Sequence, residues 1–257
     1  MGDGPDAVIF DLDGVITFTA RVHAAAWKEL FDDYLRARAA RVGTPFRPFD
    51  AAADYYAYVD GKPRYDGVQS FLKSRAIEIP YGNPSDSPGD NTVCGLGNRK
   101  DALFNRRIDE SGIDMDAEAV KFAHELRNRG VRVGLASSSK NAVPILQKAG
   151  IRNLFHAVVD GLVSERLLLN GKPEADIFLE CLAELDPSFS PQRAAVVEDA
   201  ISGVEAGRTG GFALVLGVDR NHTGALEQHG ANWVIDDFSE ISADQVFAFF
   251  TARARAA

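Results

Sequence analysis

Residues 8–17 read VIFDLDGVIT: three apolar residues, then Asp11 and Asp13 flanking one leucine, then Gly14. Val8, Ile9 and Phe10 predict a buried strand. Asp and Gly ordinarily end strands and open turns. Two carboxylates at the end of a buried strand are also a place to do chemistry, and the rest of the chain decides between these readings.

Further short runs resemble the first: VRVGLAS (131–137), HAVVD (156–160), AAVVED (194–199), FALVLG (212–217) and NWVID (232–236). All are nearly continuous in apolar character, as strands covered on both faces are. Helical patterns lie between them at 116–130, 141–150, 174–185 and 199–210. Strand alternating with helix predicts an α/β fold, a Rossmann-like parallel sheet. Residues 20–112 break the rhythm with three helical patterns (TARVHAAAWKELFDDYLRARAA, DAAADYYAYV and RYDGVQSFLKSRA) and no comparable strand. This predicts an all-helical domain spanning 20–112, inserted into a core formed by 1–19 and 113–257. Within the insert, residues 78–100 are rich in Pro, Gly, Asp and Asn and read as a long loop. GLGNRK (95–100) lacks the preceding strand and third glycine of a dinucleotide loop and is discounted.

The 257 residues are 46% hydrophobic, ample for a buried core, and carry a formal charge of −9. That balance argues against nucleic acid or an anionic membrane surface as partner. No stretch reaches about 18 apolar residues, and no basic-then-apolar leader opens the chain. Cys94 and Cys181 match no metal-ligand spacing and read as reduced thiols, so a cytoplasmic location is expected. A monomer is the expected state.

Ligands of open parallel sheets sit beyond the carboxyl ends of the strands. Asp11 and Asp13, Ser137-Ser138-Ser139-Lys140 and Glu198-Asp199 all fall at such ends, and Lys172 lies just before a helix. Four carboxylates crowded together repel, unless some take protons or a cation joins them. Mg²⁺ favours a few carboxylates plus water and phosphate oxygens. A cation, a lysine and a hydroxyl around a carboxylate make a site for a phosphoryl group. Asp11 is then a candidate nucleophile and Asp13 a candidate acid/base.

DLDGV, Ser137 in LASSS, Lys172 in GKP and VVEDAISGVEAG together resemble the four motifs of the haloacid dehalogenase superfamily. The resemblance implies that fold with a helical cap, Asp11 as nucleophile, Asp13 as acid/base, and Ser137 and Lys172 as phosphate ligands. It also implies Mg²⁺ held at Asp11, Asp13, Glu198 and Asp199.

DGVITFTARVHAAAWK (13–28) is similar to the opening of the β-phosphoglucomutases. This implies a catalytic role for His23, coupling cap closure to Asp13, with Trp27 four residues on. ASSSKN and YVDGKPRYDG resemble that family's loops for the sugar and the distal phosphate, implying Ser138, Ser139, Lys140, Asn141, Gly61 and Arg64 as substrate contacts. Lys100 is a further cap lysine under the same resemblance. The implied reaction interconverts β-glucose 1-phosphate and glucose 6-phosphate, with glucose 1,6-bisphosphate as intermediate and activator. The core motifs serve equally a phosphatase that uses water as acceptor, and a non-catalytic phosphate-binding module is the third reading. Phe18 stands where an acidic residue is often found, and Ala200 where a serine can follow the fourth motif.

Overall fold

The computed structural model describes residues 4–256, which form two compact units: one of residues up to Phe18 together with those from Asp114 onward, the other Thr19–Ile113. The first is built on six parallel strands, β1 (Ala7–Phe10), β2 (Arg132–Ala136), β3 (Ala157–Val159), β4 (Ala194–Glu198), β5 (Leu214–Val218) and β6 (Trp233–Ile235). Their order is β3-β2-β1-β4-β5-β6. β1 is therefore central, pairing Phe10 with Leu135 of β2 and with Val197 of β4. All four of its residues are buried, which explains why its sequence does not alternate. The order reverses between β1 and β4, so Asp11 and Glu198 leave adjacent strands at the switch point where a crevice opens.

The helices of this unit include one at each of the four helical patterns read from the sequence and three outside them. They are α4 (Ala117–Asn128), α5 (Ala142–Lys148), α6 (Gly161–Leu167), α7 (Asp176–Leu185), α8 (Ile201–Thr209), α9 (Ala225–His229) and α10 (Ala243–Ala256). Ile177, Phe178, Cys181, Leu182 and Leu185, at helical spacing along α7, join Ile9, Ala136 and Val196 of the strands in one core. Phe122 of α4 meets Phe10 edge-on at 6.0 Å. Asp116 caps α4 by accepting from the Ala119 N–H at 2.9 Å, and Asp160 caps α6 through Leu162 and Val163 at 3.0 Å.

The second unit is helical: α1 (Thr19–Val42), a π-helical turn (Tyr55–Val59), α2 (Arg64–Ser74) and α3 (Val93–Ser111). Its centre is aromatic. Phe31 lies 4.1 Å from Phe71, and 5.3 Å from both Trp27 and Phe49. Two expectations need correction here. DAAADYYAYV is not a full α-helix, because Tyr55 N–H reaches back five residues to Asp50 C=O at 3.2 Å and the turn winds wide. The loop read as 78–100 ends at Thr92, whose hydroxyl accepts from the Gly95 N–H at 2.9 Å and starts α3 inside the Gly-rich run. The loop itself is folded on its own side chains. Asp86 accepts from Thr92 Oγ1 at 2.6 Å, and Asp90 from the Ser87 N–H at 2.7 Å. No helix among the described residues is long and apolar enough to cross a membrane.

Candidate active site

At the carboxyl end of β1 the Asp11 N–H still donates to Val197 C=O of β4 at 2.9 Å, so the side chain leaves from a fixed peptide. One Asp11 oxygen accepts from Lys172 Nζ at 2.6 Å and the other from the Asp13 N–H at 2.8 Å. Lys172 also donates to Glu198 Oε1 at 2.5 Å, and its ammonium lies 4.9 Å from the centre of the Phe178 ring. The side chains of Lys172 and Glu198 are 1% exposed and that of Asp11 8%, so one ammonium serves two carboxyl groups with almost no help from solvent. Burial pushes the Asp11 carboxyl up to about 8, against the pull of Lys172, and the neighbouring Glu198 and Asp13 charges add to the rise. Burial alone would lower Lys172, but Asp11 and Glu198 outweigh it and hold the ammonium well above its ordinary range.

Glu198 is anchored at both ends. Its second oxygen accepts from the Asp199 N–H at 3.0 Å and the Ala200 N–H at 2.9 Å. The contact at position 200 uses only backbone, which accounts for alanine where a serine can stand. Gly203 of α8 makes room for the carboxylate, since a Cβ there would lie 1.8 Å from Glu198 Oε1. Replacing Gly203 by Ala is expected to cost about 1–3 kcal/mol in chemical denaturation, because three N–H donors leave the carboxylate nowhere to move. The same variant is expected to lose stabilisation by added Mg²⁺.

Asp11, Glu198 and Asp199 present ligand oxygens that all lie within 4.8 Å of one another. Three hard oxygen donors around a carboxyl whose ionisation is opposed by its neighbours fit a small divalent cation such as Mg²⁺. The cluster of side-chain oxygens comprises three of the four residues expected from sequence, and Asp13 follows Asp11 two residues on. Asp13 accepts from Ser137 Oγ at 3.4 Å. Ser137 Oγ in turn accepts from the Ser139 N–H at 3.1 Å, and Ser139 Oγ from the Asn141 N–H at 3.2 Å, winding the loop after β2 into a tight series of turns. Ser138 lies half-buried in that loop, its carbonyl packed where a side chain on Gly161 would collide at 2.7 Å. Lys140 pairs with Glu165 of α6 at 2.7 Å, a partner that no strand-end pattern in the sequence points to.

In the helical unit, Lys100 is buried and contacts His23 Nδ1, an ammonium donor making that nitrogen the acceptor. His23 stacks on Phe104 at 4.0 Å, and the Lys100 ammonium sits 5.0 Å from the rings of both Trp27 and Phe104. His23, Trp27 and Lys100 thus form one cluster, although they come from α1 and α3. Arg64, at the start of α2, pairs with Asp101 at 2.9 Å, and Gly61 turns the chain ahead of it with φ +68°.

A further residue of the sheet unit bears on the acid/base loop. Arg220, just beyond β5, donates to Gly14 C=O and, at 2.6 Å, to Asp116. Its position beyond a strand's carboxyl end was the available signal, but a lone VDRNH carries no motif.

A haloacid dehalogenase-like hydrolase family model matches residues 5–211. The chain belongs to the haloacid dehalogenase-like hydrolases. A β-phosphoglucomutase of Mycobacterium tuberculosis is 44% identical to this member over 239 residues, spanning 91% of the chain and 90% of that relative. A phosphorylated carbohydrates phosphatase of Thermotoga maritima is 27% identical over 231 residues, spanning 88% and 92%. Among solved structures of the same fold, a β-phosphoglucomutase of Clostridium difficile matches with a TM-score of 0.76 and 25% identity, covering 97% of this chain and 99% of that one. The segments that resemble the four haloacid dehalogenase motifs lie at the ends of β1, β2 and β4, where an open sheet places its ligands, and at Lys172 before α7.

Proposed function

We propose that the chain is a Mg²⁺-dependent phosphotransferase that interconverts β-glucose 1-phosphate and glucose 6-phosphate through an aspartyl phosphate at Asp11 and a 1,6-bisphosphate. The observation that carries the phosphoryl-transfer reading is the Asp11 carboxylate, fixed by a buried lysine beside a three-carboxylate cation site. The 44% identity to a β-phosphoglucomutase supports sugar rather than water as acceptor.

In this reading an oxygen of Asp11 attacks phosphorus and the bond from phosphorus to the departing oxygen breaks. Asp13 gives its proton to that oxygen, and in the return step takes one from the attacking sugar hydroxyl. Lys172 orients the Asp11 carboxyl and favours its ionised form against the opposing effect of burial. Mg²⁺, held by Asp11, Glu198 and Asp199, would supply positive charge against the phosphoryl oxygens. Ser137 sits on Asp13 and would donate to the same phosphoryl group. Lys140 and Arg64 each bind a carboxylate, Glu165 and Asp101, and each would exchange it for a phosphate oxygen. Asn141 and Ser139 would add donors beside Lys140. His23, Trp27, Gly61 and Lys100 would serve the closing of the helical unit as a cap over the sugar.

The phosphatase reading uses the same Asp11 and Asp13 with water as acceptor, and the Thermotoga relative supports it. One assay separates the two. β-Glucose 1-phosphate is supplied with Mg²⁺ and a trace of glucose 1,6-bisphosphate, and glucose 6-phosphate and free phosphate are followed together. Glucose 6-phosphate in excess over free phosphate is expected. Free phosphate with no glucose 6-phosphate would overturn the mutase reading.

A further inference from the structure

We infer that Arg220 is a positioning residue for proton transfer, holding the peptide next to Asp13 rather than touching substrate. The inference rests on the reading of Asp13 as the acid/base. Gly14 follows Asp13 directly and is pinned from three sides. Its N–H donates to Thr17 C=O at 2.7 Å, and its C=O accepts from Arg220. Its φ is +94°, and a Cβ there would lie 1.8 Å from Asp199 Oδ2, so backbone passes directly against the candidate cation ligand.

Arg220 itself is held on every side. Its second terminal nitrogen donates to Asp116 at 2.6 Å, and Asp116 is 5% exposed and committed to capping α4. The guanidinium carbon lies 5.1 Å from the Phe18 ring centre and 6.0 Å from that of Phe238. A fixed planar cation of this kind delivers two N–H groups in set directions, which a lysine cannot do. Phe18 and Asp114 are also the residues at which the chain leaves and re-enters the sheet unit, and the Phe18 N–H donates to Asp114 C=O at 2.9 Å. Arg220 therefore joins the acid/base loop, the outgoing chain at Phe18 and the cap of α4. Phe18, in place of an acid, offers the guanidinium a ring rather than a carboxylate that would compete with Asp116.

The consequence is selective. Displacing Asp13 slows reactions whose leaving oxygen needs a proton, and spares those whose leaving group departs as a stable anion. The test compares single-turnover release of alcohol from benzyl phosphate with release of nitrophenolate from p-nitrophenyl phosphate, at saturating Mg²⁺. Arg220→Ala is expected to slow the benzyl reaction about tenfold to a hundredfold, with nitrophenolate release changed less than about threefold. KM for either ester is expected to stay within about threefold. Arg220→Lys, which keeps charge opposite Asp116, is expected to recover little of the loss. The nitrophenolate burst amplitude counts folded sites, so a poorly folded variant is normalised in the same sample, and Arg220→Lys decides if Arg220→Ala gives no burst. Equal slowing of both esters, or of neither, would overturn the inference. Asp13→Asn is run alongside: if it does not discriminate between the esters, the acid/base reading of Asp13 fails instead.

Discussion

Lys172→Met is expected to destabilise the metal-free protein by about 3–5 kcal/mol, lowering Tm by about ten degrees or more. The ammonium bonds both Asp11 and Glu198 in a pocket with almost no solvent. Methionine fills the volume of the lysine stem beside Phe178, so the loss is electrostatic rather than a packing defect. Two buried carboxylates left together cannot both stay ionised, and the folded state must take up protons. The variant's deficit is therefore expected to grow as pH rises from 6 to 8.5, since uptake becomes harder. In the wild type the raised lysine contributes fully below its ordinary value of 10.5 and is lost only as pH climbs beyond that. Urea denaturation at both pH values, with and without Mg²⁺, measures this. Mg²⁺ is expected to restore part of the loss. Unchanged stability at pH 8.5 would mean that the carboxylates do not depend on Lys172.

The strands were legible because all but the partly covered edge strand β6 are buried on both faces, and six continuous apolar runs can be told apart only when helices with a different period lie between them. The acids at the strand ends were legible for the same reason: a charge directly after a buried run needs a partner. What the sequence could not supply was the pairing. Glu165 on Lys140 and Asp101 on Arg64 depend on how α6 and α3 approach, and nothing in a local pattern encodes that. The start of α3 was hidden by its composition, since Gly95 and Gly97 read as loop. Gly97 is instead required where Tyr65 crosses, a Cβ there falling 2.6 Å from the ring. Arg220 was hidden in another way. Its acceptor on the first motif is a backbone carbonyl, which leaves no residue type in that motif to betray it.

Asp11→Asn is expected to abolish phosphoryl transfer, by about 10⁴-fold or more, while stabilising the metal-free protein at alkaline pH. The activity loss follows from replacing the attacking carboxylate with an amide of nearly equal shape. The stability gain follows from the environment of Asp11. Its carboxyl titrates near 3.8 when unfolded and is raised to about 8 by burial in the folded chain, so the folded state keeps a proton that the unfolded state has released. Between those values each rise in pH favours unfolding, and the wild-type protein pays increasingly for the aspartate. Asparagine has no charge to pay for and should flatten that slope. Both Asp11 oxygens accept N–H donors, from Lys172 and from Asp13, and the amide can accept only one, a loss of about 1 kcal/mol. At pH 5 the variant is therefore expected to be equal to the wild type or slightly less stable, and by pH 8 more stable by about 1–3 kcal/mol. Mg²⁺ should reverse the order, since it stabilises the ionised carboxylate and gains less from an amide. Denaturation curves at three pH values, with and without the cation, would display the crossing. A variant less stable at every pH would show that the ionised Asp11 is a net support of the fold, and a variant retaining turnover would place the nucleophile elsewhere.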